Sequence, residues 1–165
     1  NHEFNQGHFG DTDLKDKTTM IRKMFADWGI KFLDNSHEKI TLHGKSFELA
    51  GIEDIWTKRA DLAKTEIGLD QVMPKILVSH NPDIILDPES KKFDLILSGH
   101  THAGQIRLPF IGSVPNIPDQ LGRQYDYGLY NLGSNFLYVS SGLGESGPRA
   151  RLLAPPEIAI INLDL

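Results

Sequence analysis

The chain has 165 residues of ordinary apolar content, with 17 Lys and Arg against 22 Asp and Glu, a formal charge of -5. That length buries one core, and the acidic balance argues against broad nucleic-acid binding, which needs a basic patch or stripe. Cysteine is absent, so disulfide frameworks and thiolate zinc sites are excluded, and any metal must be held by His, Asn, Asp or Glu.

The chain opens on Asn1-His2-Glu3-Phe4 without an initiator Met, which reads as a truncation or processing point. Between Thr12 and Trp28, apolar Leu14, Ile21, Met24, Phe25 and Trp28 recur at near-helical spacing. Asp11 or Thr12 is placed to cap this helix and Gly29 to stop it. Ile30–Leu33 is expected as a short strand. Lys39–Leu42 and Lys45–Ala50 are expected as a hairpin around His43-Gly44, with Phe47 and Leu49 on one face. A second helix is expected over Thr57–Glu66. Two apolar strands follow, Lys75–His80 and Phe93–His100, each ending in a polar turn that contains histidine. Continuous apolar strands imply burial on both faces, and chemistry is placed at the ends of such strands. The last third is rich in Gly and Pro up to Asn135, after which Phe136–Ser140 and Glu157–Leu163 read as β-type runs.

Of seven histidines, three sit at strand ends, in Ser79-His80-Asn81-Pro82 and Gly99-His100-Thr101-His102-Ala103-Gly104. A single histidine after a strand is ordinarily a hydrogen-bonded turn residue. The pair His100 and His102 differs, because two imidazoles one residue apart in a turning segment can aim at adjacent metal ions, with Gly99 and Gly104 letting the backbone pack closely. Neutral imidazole is a common ligand of zinc, iron and manganese-type ions, and a His-rich set without cysteine suits hydrolysis. His8, His37 and His43 lie in polar contexts and are expected to be solvent exposed, with His8 close enough to the first turn to overhang a site. Arg107, Arg123, Arg149 and Arg151 suit oxyanion contact, with solvation the expected fate of at least two. Ser140-Ser141 lacks a nucleophile elbow. Leu108–Pro115 forms an apolar loop directly after the histidine turn, a lip for an acyl chain or a packed segment under the last strands.

In order and spacing, Asn1-His2-Glu3, Val78-Ser79-His80-Asn81-Pro82 and Leu97-Ser98-Gly99-His100-Thr101-His102-Ala103-Gly104-Gln105 resemble the last three signature blocks of the calcineurin-like metallophosphoesterases. That family's pattern runs DxH, GD, GNH followed by Asp or Glu, a lone His, and GHxH. Gln105–Pro109, Gly122-Arg123, Tyr127–Tyr130, Val139–Gly144 and Pro155–Ile158 look like its bacterial phosphodiesterase branch. The resemblance implies an α/β fold, a four-layer α/β/β/α sandwich with mixed sheets, of which residues 1–165 would be the second half only. They would form the C-terminal part of one metallophosphoesterase domain, starting inside the third block.

For site residues it implies Asn1, His80 and His100 as ligands of one ion, His102 as a ligand of the other, His2 facing the leaving group and Glu3 holding its imidazole. Arg107 and Arg123 are the candidate substrate contacts. Two divalent ions, Mn, Fe or Zn, would activate a hydroxide that hydrolyses a phosphodiester or pyrophosphate bond. The implied partner is a phosphate-containing small molecule or lipid, with no nucleic acid. Peripheral membrane contact, and association with the missing N-terminal half or with itself, are implied as well. A cytoplasmic or peripheral membrane location is expected, and the fragment alone is expected to be inactive. The residues by themselves leave two other readings open. One is an inactive fragment or binding domain with at most one metal, and the other is a mononuclear hydrolase using His80, His100 and His102.

Overall fold

The computed structural model describes residues 14–114, 120–147 and 149–164, with side chains from residue 19 onward. The expected caps Asp11 and Thr12 therefore lie outside the described residues. Helix α1 spans Leu14–Asp27, and Gly29, at φ 75°, ends it. The Ile30 amide turns back to the Phe25 carbonyl at 2.9 Å, the reversed closure that a left-handed glycine permits. Phe25 meets Trp28 and Phe32 edge to face, with centroids 5.5 and 5.9 Å apart. Met24 and Trp28 of the anticipated apolar stripe remain exposed.

Six strands form one sheet in the order β1-β2-β3-β4-β8-β7, made of β1 (Ser36–Leu42), β2 (Lys45–Gly51), β3 (Lys75–Val78), β4 (Leu95–Ser98), β7 (Gly128–Asn131) and β8 (Phe136–Val139). The inner four run parallel and the two edge strands antiparallel, which makes the sheet mixed. Strands β1 and β2 are joined by His43 and Gly44 at φ 50° and 81°, the two positive values that a two-residue type I′ hairpin demands. A second, two-stranded sheet pairs β5 (Arg107–Leu108) with β6 (Gly112–Ser113).

The core follows from the register. Ala50, Leu77, Ile96 and Leu137 stand opposite one another on consecutive strands, all at 0% exposure, and Tyr130 extends the row on β7. Leu62, Ile84 and Phe93, from the crossover segments, cover that row. The other face is apolar but only partly covered among the described residues. Val78 and Phe136 are exposed there, so burial on both faces is not met among the described residues.

Three expected elements differ. Residues 30–33 form no strand; Leu33 lies against Gly51, where a Cβ would come within 2.6 Å of its own Cβ. The helix over Thr57–Glu66 is broken. A 3-10 turn covers Ile55–Thr57, Lys58 adopts a left-handed conformation, and Asp61 caps a single α-turn, α2 (Leu62–Thr65). The chain at Glu157–Leu163 forms no strand, though Glu157 N donates to Gly142 O at 3.0 Å. It is tied at its start, where the phenols of Tyr127 and Tyr138 both donate to the Glu157 carboxylate. The bond to Glu157 raises the pKa of Tyr127 above the ordinary phenol range.

Because Leu77 sits in the middle of the buried row, Leu77→Ala is expected to lower stability by about 2 to 5 kcal/mol in urea denaturation. Val72→Ala, at a side chain 93% exposed, should stay within about 0.5 kcal/mol.

Candidate metal and phosphate site

Strands β3 and β4 pair through Val78 and Leu97, and the ladder continues beyond both strands. Ser79 N donates to Leu97 O at 3.0 Å and Gly99 N to His80 O at 3.1 Å. This extension carries the two histidine turns to the same sheet end. His100 Nδ1 lies 3.0 Å from His80 Nε2, and their rings meet at 72° with centroids 4.8 Å apart. Asn81 caps the turn after His80 by accepting from the Asp83 amide at 2.8 Å. The indole of Trp56 abuts the other side of His100, edge on, at 4.4 Å between centroids.

The turn from His100 to Gln105 is strained. His100, His102, Ala103 and Gln105 have φ of 71°, 52°, 53° and 56°, a region that side chains other than glycine's seldom enter. Several contacts hold it there. Thr101 Oγ1 donates to the Asp126 carbonyl at 2.7 Å, and Arg107 bridges the Ala103 carbonyl at 3.1 Å and the Asp126 carboxylate at 2.7 Å. Gln105 Nε2 donates to Ser146 O at 2.9 Å. Gly104, at φ 69°, is required by contact as well as by conformation, since a Cβ there would sit 2.2 Å from Ser113 Cβ.

His102 Nδ1 lies 3.2 Å from the Gly144 carbonyl. A carbonyl can only accept, so Nδ1 is the donor, and in the neutral ring this leaves Nε2 with the lone pair by which imidazole binds a metal. The Gly144 loop is held by Arg151, which donates to the carbonyls of Ala154 at 2.9 Å, Ser141 at 2.9 Å and Gly142 at 3.4 Å, and to that of Gly144.

Of the residues anticipated from sequence, His80 and His100 are brought together, and His102 stands on the same turn. Asn1, His2, Glu3 and His8 lie outside the described residues. Among the described residues, no group of three His, Asp or Glu side chains converges. The Arg107 guanidinium is engaged by Asp126 and Ala103, and Arg123 Nη2 donates to Val114 O at 3.0 Å. Of the other arginines, Arg149 is exposed and Arg151 is structural. His43 is exposed as expected, but His37 bridges Glu48 and the Ile67 carbonyl, each at 3.0 Å, joining the hairpin to the segment after α2. Trp56 was not anticipated, nor were the structural parts of Gly144 and Arg151, the latter expected only as an oxyanion contact; they lie 44, 44 and 51 residues from His100, and no local spacing marks these contacts. An apolar cleft of about 440 Å³ opens beside His80, lined by Phe25, Phe32, Leu33, Ile52 and Val78.

Among curated proteins, the chain is 35% identical over 147 residues to the metallophosphoesterase YkuE of Bacillus subtilis, covering 88% of this chain and 51% of that protein. It is 32% identical over 148 residues to the phosphodiesterase YaeI of Escherichia coli, covering 90% and 53%. It is 30% identical over 132 residues to the UDP-2,3-diacylglucosamine pyrophosphatase LpxG of Chlamydia trachomatis, covering 76% and 40%. No family profile and no solved structure matches. With these relatives and this mixed α/β sheet, the chain belongs to the calcineurin-like metallophosphoesterase family. It spans about half or less of the length of the relatives it matches.

The two glycines of the histidine turn should separate in mutagenesis. Gly104→Ala is expected to destabilise by about 1 to 3 kcal/mol, from the clash with Ser113 Cβ and an unfavourable φ together. Gly99→Ala, which meets nothing within 4 Å, should change the thermal midpoint little. Equal losses would show that the turn is not pinned on Ser113.

Proposed function

We propose that the intact protein is a metal-dependent phosphoesterase that hydrolyses a phosphodiester or pyrophosphate bond, with a lipid-linked substrate as the preferred class. The approach of His80 and His100 carries the reading. Their ring nitrogens face one another at 3.0 Å, close enough that one divalent ion would take both as ligands. The tautomer of His102 adds a third nitrogen in ligand form on the same turn. In this reading His80 and His100, with Asn1, hold one divalent ion, and His102 contributes to a second. Manganese, iron or zinc suits an all-nitrogen and oxygen donor set. When bound, a pair of such ions neutralises phosphate charge and lowers the pKa of water.

The remaining roles belong to this chain's own groups. His2 donates a proton to the departing oxygen, and Glu3 fixes its tautomer. Arg107 stiffens the histidine turn from below, and Arg123 is the more accessible of the two guanidiniums for a substrate oxyanion. The apolar cleft beside His80 supports a substrate with an acyl portion, and the diacylated substrate in LpxG's name is of that chemical class. The half-covered sheet face at Val78 and Phe136 supports association with further sequence of the same protein or with a second copy. A cytoplasmic or peripheral membrane location accords with this reading, and no described helix is long and apolar enough to cross a membrane.

The intact protein is expected to hydrolyse bis(p-nitrophenyl) phosphate with manganese and to stop in chelator; turnover that persists in chelator would refute the assignment. His80→Ala and His100→Ala should lose bound metal and activity together, as read by elemental analysis. His2→Ala should keep metal and slow turnover by roughly 10² to 10⁴. Binding can also be followed without turnover. In a Trp28→Phe background, titrated manganese should quench the fluorescence of Trp56 through its contact with His100, and unchanged emission would remove His100 from the ligand set.

A further inference from the structure

The hairpin β5-β6 has a composition that its own fold does not explain. It leaves the histidine turn at Arg107 and returns at Ser113, and its tip is Pro109-Phe110-Ile111. Phe110 is 109% exposed, fully in solvent, while Leu108, Ile111 and Val114 are exposed beside it. The parallel bridge between Ile106 and Leu152 sets a further strand-like segment alongside, and there Leu152 and Leu153 are exposed too. Scattered exposed leucines need no explanation, but a continuous apolar projection does.

Backbone conformation adds an independent observation. Phe110 and Leu153 both have positive φ, 66° and 52°, where bulky side chains are outliers. Strain of this kind persists where surrounding structure imposes it, and here it turns two large apolar groups outward. The base is anchored firmly: Ser113 is fully buried against Gly104, and Val114 N donates to Ile106 O at 2.8 Å. The tip is therefore carried rigidly by the turn that bears His100 and His102.

Two arginines stand at the base, the charge of Arg107 being paired with the Asp126 carboxylate. Arg123 is exposed and reaches the Val114 carbonyl, and Arg107 lies across Gly112. Every cation after Lys92 in the sequence is an arginine, the side chain whose planar fork fits phosphate oxygens. An apolar tip with the exposed Arg123 beside it matches the interface of an anionic bilayer, where rings and aliphatic groups enter the acyl boundary and arginine stays with the phosphates.

We propose that the hairpin Arg107–Ser113 is a membrane-docking element: Phe110 and Ile111 enter the headgroup and acyl boundary of an anionic phospholipid surface, and Arg123 contacts the lipid phosphates. The binding step stands on the hairpin alone; only its use, to present the histidine turn to phosphoesters at the membrane, rests on the function proposed above.

Co-sedimentation of the intact protein with vesicles decides it. Binding is expected to phosphatidylglycerol and phosphatidylcholine mixed in equal parts, and to be much weaker to phosphatidylcholine alone. The double variant Phe110→Asp, Ile111→Asp should partition roughly tenfold or more weakly, with an unchanged thermal midpoint since both sites are exposed. Arg123→Gln should weaken binding less and flatten its salt dependence. Phe110→Trp in a background with the protein's native tryptophans replaced by Phe should shift to the blue on adding vesicles and be quenched by brominated lipid. Absence of wild-type binding, or equal binding by the double variant, overturns the proposal. So does emission from Trp at position 110 that is already blue-shifted without lipid, which would mean that protein, a second copy or another part of the same polypeptide, covers the tip. Hydrolysis of a water-soluble phosphodiester is measured separately and needs no membrane, so failure of docking and failure of the phosphoesterase reading cannot be confused.

Discussion

Parallel pairing of β3 with β4 is the constraint on which the rest of the site depends. Side chains in a sheet repeat every two residues, so a slip of one residue would reverse the faces of Leu77 and Ile96. Their complete burial fixes the register, and the register fixes the ends. Because the ladder runs on through Ser79, His80 and Gly99, the core brings the two histidine turns together, and the ring contact between them forms on that frame. Packing energy gathered at one end of the strands thus determines a nitrogen separation at the other.

How much of this was legible from the amino acids follows the range of the interactions involved. The hairpin at His43-Gly44 was readable because its two-residue turn needs positive φ in both positions and the flanking residues alternate. Strands β3 and β4 were readable because short apolar runs ending in polar turns have few other uses. The anticipated helix over Thr57–Glu66 failed where Asp54 and Asp61 each capped a fresh turn, so side-chain hydrogen bonding to the backbone prevailed over helical continuation. The run Glu157–Leu163 has β-type composition, but a strand needs an edge to pair with, and composition does not supply one.

The site divides in the same way. His80, His100 and His102 were apparent from local spacing together with family resemblance. The pieces that orient them were not: Trp56 against His100, Gly144 on His102, and the bridge from Arg107 to Asp126 join segments distant in sequence, and each depends on a tertiary approach that no motif encodes. His37 shows the converse, since a histidine in a polar stretch became a cross-link once the hairpin and the residues after α2 came together.

The clamp at Arg151 carries a consequence for what chemistry can stand in its place. One guanidinium reaches carbonyls of the 141–144 loop and of Ala154, and through Gly144 it sets which nitrogen of His102 bears hydrogen. That hold cannot titrate, because arginine stays protonated at any pH a protein survives. A lysine there would keep the charge but offer a single point of donation in place of a planar fork, leaving some carbonyls to water. The loop would then wander, and with it the tautomer. A substitution ordinarily counted as conservative would leave the strand ends in place and unsettle the proton on a ring that the substituted side chain never touches.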